Sequence, residues 1–181
     1  MRKEADSGSR IADGQSLATV AALERIWSVL STVPDPEIPV LSVVDLGIVR
    51  QVRIDDDDVA RIGVSPTYSG CPATEVIRAS VVEALREAGF ERVEVRDVLS
   101  PPWTSDWITA EGREKLREYG IAPPAESVAS KRLIGRPELK IACPRCNSER
   151  TTRTSEFGST PCKALYRCEE CLEPFDYFKC H

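Results

Sequence analysis

The pattern of apolar and polar positions in the first third of the chain predicts a helix followed by two strands. Apolar residues recur at helical spacing from Leu17 to Leu30, and the buried stripe that they predict includes Trp27. The segments IVRQVRI and VARIGVS then alternate with a period of two residues, which predicts a hairpin around the run Asp55 to Asp58. Four adjacent carboxylates do not converge on one point, so a solvated turn is favoured over a cation site.

The next part of the pattern predicts a helix between two strands. Pro72 suits the first position of this helix, Gly89 suits the position just after its end, and RVEVRDVL predicts the strand that follows. A strand–helix–strand unit of this kind has parallel strands and a right-handed crossover by default. The predicted fold class is therefore α+β, with a small mixed sheet and packed helices over residues 16–122. A polar, flexible tail is expected at residues 1–15.

One more helix is predicted before the chain becomes rich in proline and serine. Thr109 or Ser105 is a suitable N-cap for this helix. Trp103 and Trp107 come just before it, and packing beneath the helix is favoured over a role in a partner-binding patch. Residues 123–138 are interpreted as a linker.

Two CxxC pairs predict a small metal-binding ribbon at residues 139–181. Each of the turns CPRC and CEEC can place two thiolates on one ion, and two such turns complete a tetrahedral sulfur shell. The segments RTTRTSEF, ALYRC and PFDYF predict its strands. So short a segment builds little core, so a metal must supply its folding energy. A structural zinc ion is favoured, with iron or a cluster as the alternative. The predicted ligands are Cys143, Cys146, Cys168 and Cys171.

Two further cysteines and the single histidine lie within the predicted ribbon segment. Cys162 is interpreted as a small buried residue between strands, with a role as a metal ligand as the alternative. Cys180 and His181 end the sequence. A single histidine argues against a Ser/His/Asp or Cys/His catalytic set. No Glu-x-x-His pair is present for a di-iron site, so direct catalysis of an oxygenation is not expected.

Composition and charge disfavour two classes of protein, those that bind nucleic acid and those that span a membrane. The chain has 181 residues and a net charge of −5, and the ribbon segment is close to neutral, which disfavours nucleic-acid binding. No apolar run approaches the ~20 residues that cross a bilayer. The first residues lack the apolar segment of a signal peptide, so a cytoplasmic protein is expected. Seven cysteines in that compartment indicate metal or thiol chemistry more often than disulfides.

Cys71 stands apart from the other cysteines, within the segment PTYSGCPATE. It precedes a predicted helix, where unsatisfied backbone N–H groups and the helix dipole would stabilise a thiolate and lower the thiol pKa. Packing as a small apolar residue is an equally good interpretation of this position. The residues around Cys71 therefore leave its role open.

A set of short motifs resembles the PaaD family, the D component of the phenylacetyl-CoA epoxidase gene set. The motifs are DPEIP, DLGIV, TYSGCP and PPWT, combined with the four-cysteine ribbon. The resemblance covers residues 17–181. The first domain alone is similar to a wider group of iron–sulfur assembly proteins, which includes SufT and the eukaryotic cytosolic iron–sulfur targeting factors. The resemblance implies an iron–sulfur-assembly-type α+β domain, in agreement with the predicted elements.

The resemblance also implies an accessory role in iron-centre maturation. Cys71 is implied to be the functional cysteine, which binds iron or an iron–sulfur cluster transiently, and Asp45 its acidic companion. Glu37 and Thr67 are lesser candidates. The implied partners are the oxygenase and reductase subunits of the epoxidase, or iron–sulfur assembly proteins. One thiolate cannot hold a cluster, so a second copy of the chain, as in a homodimer, or a client must supply further ligands.

Two other functions stay open at this point. The protein could be a structural tether for the oxygenase and reductase, with the ribbon as the docking module. It could instead be a thiol–redox protein that acts through Cys71, although no CxxC partner lies nearby in the sequence.

Overall fold

The computed structural model describes residues 17–67, 73–124 and 140–179. The predicted tail and most of the predicted linker lie outside these ranges, and so does Cys71. Among the helices within them, none is long and apolar enough to cross a membrane.

The first half of the chain forms a three-stranded mixed sheet with two helices packed on it. Strand order is β1-β2-β3, with β1 antiparallel to β2 and β2 parallel to β3. Helix α2 connects the two parallel strands. The α+β class, the hairpin and the parallel crossover are thereby confirmed. The elements are α1 (Leu17–Leu30), β1 (Val49–Ile54), β2 (Ala60–Val64), α2 (Ala73–Glu87) and β3 (Val93–Asp97).

The buried stripes of the two helices explain why they pack on this sheet. Ile26 and Leu30 of α1 lie one turn apart and are fully buried, and Val81 and Leu85 of α2 repeat the pattern. The prediction that Trp27 belongs to the buried stripe was wrong, since its side chain is 40% exposed. Trp27 follows Ile26 by about 100° around the helix, which turns it to the edge of a narrow stripe.

A short 3₁₀ helix at Ser105–Trp107 leads into α3, which spans Ala110–Tyr119. Thr109 is the N-cap of α3, because its hydroxyl accepts a hydrogen bond of 2.9 Å from the N–H of Gly112. Of the two predicted caps, Thr109 is therefore correct and Ser105 is not. Trp103 is buried, as the packing interpretation requires, and its indole N–H donates to the carbonyl of Leu46 at 2.9 Å.

The C-terminal part forms a second sheet of four strands in the order β4-β7-β6-β5. The three predicted ribbon strands are confirmed and pair with one another antiparallel. The fourth strand, β4, was not predicted. It comes before the linker in sequence and pairs in parallel with β7. The strands are β4 (Ile121–Ala122), β5 (Thr151–Ser155), β6 (Lys163–Cys168) and β7 (Pro174–Phe178).

The two sheets share a packed seam in addition to β4. Phe178 at the end of β7 is 2% exposed and belongs to the core of the first sheet. Its ring lies 6.1 Å from that of Trp103, centroid to centroid, at a tilted angle typical of aromatic pairs. The division into domains at residues 16–122 and 139–181 stays a prediction, but the ribbon contributes directly to the core of its neighbour.

Candidate functional site

Four cysteine side chains converge at one end of the ribbon. Their sulfur atoms all lie within 4.8 Å of one another. The Sγ atoms of Cys143 and Cys171 are 3.8 Å apart, and those of Cys146 and Cys168 are 3.5 Å apart. These are the four predicted ligands, two from each CxxC turn, and they are positioned to bind a metal ion.

The two CxxC turns have the same backbone construction. In each, the N–H of the first cysteine donates to the carbonyl five residues later, Cys143 to Ser148 at 2.9 Å and Cys168 to Glu173 at 3.0 Å. The residue after each second cysteine, Asn147 and Leu172, has a positive φ near 60°. For Leu172 this conformation is unfavourable, which indicates that closure of the turn around the sulfur cluster fixes it.

The donor set fits a tetrahedral thiolate-binding ion. Bonds of about 2.3 Å at tetrahedral angles place sulfur atoms about 3.8 Å apart, close to both observed separations. Backbone N–H groups of Cys171 and Glu170 lower the pKa of Cys168 to about 7. The N–H of Glu173 favours the Cys171 thiolate too, but burial and the three neighbouring cysteines raise the pKa of Cys171 to about 12. A bound cation would favour ionisation of all four thiols, since metal binding to cysteine releases the thiol protons.

A second candidate site is a cavity of about 110 Å³ between the first sheet, α2 and the ribbon. Thr67 and Ala73 both line it, and Cys71 lies four residues after the first and two before the second in sequence. The polar side chains in the wall come from Asp35, Glu37, Ser65, Thr67, Thr74 and Cys162. The apolar wall includes Ile38, Leu46, Ile48, Val64, Ile77 and Phe178.

A tight turn holds Glu37 at this cavity. The Oδ1 atom of Asp35 accepts hydrogen bonds from the N–H groups of Glu37 and Ile38 at 2.9 and 2.8 Å. Burial raises the pKa of Asp35, against the effect of these two bonds. Glu37 was predicted as a site residue from its motif. Asp35 and Ser65 were not, although the prolines around Asp35 in PDPEIP indicated a tight turn.

Cys162 comes to the same cavity from the ribbon. Its Sγ lies 3.9 Å from Oε2 of Glu37 and 3.0 Å from Oγ1 of Thr160. Burial raises the pKa of this thiol, and the Glu37 carboxylate acts in the same direction, while Thr160 opposes them. The structure places Cys162 in the loop between β5 and β6, where it is half-buried and packed against the core of the first sheet.

Asp45 is not among the residues that line the cavity. Its buried carboxylate accepts hydrogen bonds from the N–H and the hydroxyl of Ser42, each at 2.8 Å, and from Lys115 Nζ at 3.0 Å. Its carbonyl accepts from the N–H of Thr109 at 2.9 Å. These contacts tie the turn before β1 to the start of α3. The role of Asp45 as a companion of Cys71 stays a prediction.

The glycine that follows in the DLGIV motif has a steric explanation. Gly47 has a φ of +66°, and a Cβ atom there would lie 2.2 Å from the carbonyl oxygen of Trp107. Only glycine allows this close approach of two backbone segments. The motif thus packs the turn at Asp45 directly under the segment that precedes α3.

Asp45→Asn is expected to destabilise the fold by about 1–3 kcal/mol at neutral pH, because it removes a charge-assisted contact to Lys115. Burial raises the pKa of Asp45, but hydrogen bonds from Ser42 and Lys115 outweigh it, and the folded value lies below the usual 3.8. The carboxylate therefore stabilises the fold above pH ~4, and this is lost as pH falls through the folded pKa.

Urea unfolding of wild type and Asp45→Asn between pH 7 and pH 3 measures this difference. The matched control is Glu111→Gln, which removes the exposed second partner of Lys115, and a change within about 0.5 kcal/mol is expected for it. A difference between wild type and Asp45→Asn that does not shrink on acidification would contradict the assignment.

Comparisons with known proteins agree with both parts of the structure. Residues 23–96 match the family "Iron-sulfur cluster assembly protein", and residues 127–179 match "PaaD zinc beta ribbon domain". The "Crystal Structure of Domain of Unknown Function DUF59 from Bacillus anthracis" is similar to the first part. It has a TM-score of 0.52 and 28% identity, over 56% of this chain and 97% of that chain.

Two curated relatives cover different shares of the chain. The "Fe-S protein maturation auxiliary factor YitW" of Bacillus subtilis is 38% identical over 48% of this chain and 84% of its own. The D component of the "Putative 1,2-phenylacetyl-CoA epoxidase" of Escherichia coli is 54% identical over 92% of this chain and 99% of its own. Because that match covers nearly the whole of both chains and residues 127–179 match the PaaD ribbon, the chain belongs to the PaaD family of phenylacetyl-CoA epoxidase D components.

Proposed function

We propose that this protein is a cytoplasmic accessory factor of a phenylacetyl-CoA epoxidase system, and that it assists assembly of an iron or iron–sulfur centre in the oxygenase or its reductase. One observation carries the proposal. The cysteine of TYSGCP is bracketed in sequence by two residues that line one cavity, in a domain matched to iron–sulfur cluster assembly proteins. Relatives of this domain bear the name of iron–sulfur maturation auxiliary factors.

In this proposal the Cys71 thiolate is one ligand of an iron or cluster cargo. A single thiolate leaves most of the coordination positions to other ligands, so the cargo remains exchangeable. A client protein or a second copy of the chain supplies those ligands and takes over the metal. Glu37 and Thr67 are proposed to line the approach to the cargo, since both lie at the same cavity.

We further propose that the ion in the ribbon is zinc and that its role is structural. All four ligands are thiolates from tight turns, with Cys143 and Cys168 fully buried, which is typical of closed structural sites. The bound ion would hold the two turns together and stabilise the sheet that carries Phe178. Handling of iron is then left to the first domain.

The test is metal and acid-labile sulfide analysis, with absorption spectra, of protein purified without oxygen as wild type and as Cys71→Ala. We expect one zinc per chain in both proteins, and more iron and acid-labile sulfide per chain in the wild type than in Cys71→Ala. Iron and sulfide contents that are equal in the two proteins would contradict the proposed cargo site. Iron in place of zinc at one ion per chain in both proteins would contradict the assignment of the ribbon ion.

A docking role is the second candidate, and two exposed apolar side chains favour it. Phe157 and Leu172 of the ribbon are 61% and 60% exposed, although both are large and apolar. In a tether, capture of the oxygenase and reductase would depend on the ribbon. Pull-down that survives Cys71→Ala but is lost in Cys168→Ala would favour this candidate over maturation.

A further inference from the structure

The cavity between the first sheet and the ribbon carries metal-ligand chemistry that the proposed function does not use. A carboxylate from the turn before β1 and a thiol from the loop before β6 face each other there, 125 positions apart in the sequence. We propose that Glu37 and Cys162 together bind one divalent metal ion of the ferrous type across this seam.

The separation of the two donor atoms fits a shared ion. Sγ of Cys162 and Oε2 of Glu37 are 3.9 Å apart. A thiolate about 2.3 Å and a carboxylate oxygen about 2.1 Å from one ion lie about 3–4 Å apart at common bond angles. A mixed sulfur and oxygen pair suits borderline divalent ions such as Fe²⁺ or Co²⁺. Other coordination positions are left for water or for a donor from a client.

Both donors are held in place by neighbours that do not themselves ligate. Asp35 accepts hydrogen bonds from the backbone N–H groups of Glu37 and Ile38, which fixes the turn that carries the carboxylate. Thr160 lies 3.0 Å from the thiol on the ribbon side. Such outer contacts orient ligands before the ion arrives. When the ion binds, the thiol proton leaves to solvent and the sulfur–metal bond replaces the S–H bond.

An unpartnered polar atom in the same cavity is the independent sign of a ligand. Ser65 is 1% exposed, and its Oγ has no hydrogen-bond partner among the described residues. Buried hydroxyls without partners are rare and indicate that an ion or a water molecule binds nearby. A cavity of about 110 Å³ has room for an ion and water molecules. A metal-bound water would give the Oγ of Ser65 the hydrogen-bond partner that it lacks among the described residues.

This inference rests on the proposed function only for the identity of the physiological metal. Thr67 and Ala73, the described residues that flank Cys71 in the sequence, both line this cavity. The Glu37–Cys162 pair would therefore supply two donors beside the proposed cargo site. The pair is tested on purified protein without any client, so its failure and the failure of the maturation role can be told apart.

Anaerobic titration with Co²⁺ of the full chain, its ribbon first loaded with zinc, tests the pair. Wild type is expected to gain a thiolate-to-cobalt charge-transfer band, and Cys162→Ala and Cys162→Ser to lower the cobalt affinity at least tenfold. Glu37→Gln is expected to lower the affinity similarly while part of the band remains. The control is Glu156→Gln, an exposed acid of the ribbon, with affinity unchanged.

A Cys71→Ala background separates the two cysteines. Residual cobalt absorption in Cys71→Ala is expected to disappear in the double variant with Cys162→Ala. Equal affinity and equal band intensity for wild type, Cys162→Ala and Cys162→Ser would overturn the inference, and so would a wild type that binds no cobalt. The maturation role would survive either result if Cys71→Ala still impaired client maturation.

Discussion

Cys168→Ser is expected to release the ribbon metal and to unfold β5, β6 and β7 together. Structural zinc contributes apparent binding energies of about 10–16 kcal/mol in small zinc domains. The core of this ribbon cannot replace that contribution, because two of its seven buried residues are themselves the cysteines Cys143 and Cys168. In the folded ribbon all four sulfur atoms lie within 4.8 Å of one another, an arrangement that a bound ion stabilises.

The effect is expected to reach the first sheet as well. Phe178 leaves the core of that sheet when β7 unfolds, and loss of a buried phenylalanine costs about 3–5 kcal/mol. Strand β4 loses its partner at the same time. We therefore expect the α+β part of Cys168→Ser to melt more than about 10 °C below the wild type.

Circular dichroism measures the loss of secondary structure. Tryptophan fluorescence, to which Trp103 beside Phe178 contributes, reports on the seam between the two sheets. Chelation of the wild type is expected to reproduce the mutant, and added zinc to reverse the chelation. Cys180→Ser is the matched control, since Cys180 is a ribbon-segment cysteine that is not one of the four predicted ligands. A Cys168→Ser protein with full metal content and the melting temperature of the wild type would show that the cluster does not hold the ribbon.

Cys71→Ala is expected to have the largest effect on function with little effect on the fold. In cells that produce the epoxidase components with this variant, we expect epoxidase activity to fall at least tenfold, because the proposed cargo ligand is gone. The melting temperature of the variant and its zinc content should match the wild type. Cys180→Ala, which removes one thiol elsewhere in the sequence, should leave the activity unchanged.

Metal-ligand spacing and hydrophobic period were enough to predict most of the fold. The two CxxC pairs predicted the four ligands because a turn of that length forces two sulfur atoms together. Helix α1 was predicted with its observed ends, since Leu17–Leu30 is bounded by a tail and by a run of prolines. The parallel crossover through α2 was predicted from the strand–helix–strand pattern, for which it is the default.

The contacts between the two sheets could not be predicted in the same way. Strand β4 has two residues, Ile121 and Ala122, too few to show a period, and its partner β7 lies beyond the linker. Trp27 is large and apolar, as a residue of a buried stripe should be. The edge of that stripe depends on which parts of the fold pack against α1, and the sequence of the helix does not show this. Glu37 and Cys162 lie 125 positions apart in the sequence and on different sheets' loops, so neither motif predicted the pair.

The amount of iron bound to the oxygenase and reductase tests the maturation role more directly than epoxidase activity does. Epoxidase activity would also fall if this protein served only to dock those subunits. The oxygenase and reductase are purified from cells that produce the wild type, Cys71→Ala or Cys180→Ala, and iron and acid-labile sulfide are measured per chain. We predict clients depleted of iron or sulfide with Cys71→Ala alone, and recovery after incubation with iron-loaded wild-type protein. Clients with full iron and sulfide beside Cys71→Ala would contradict the proposed function.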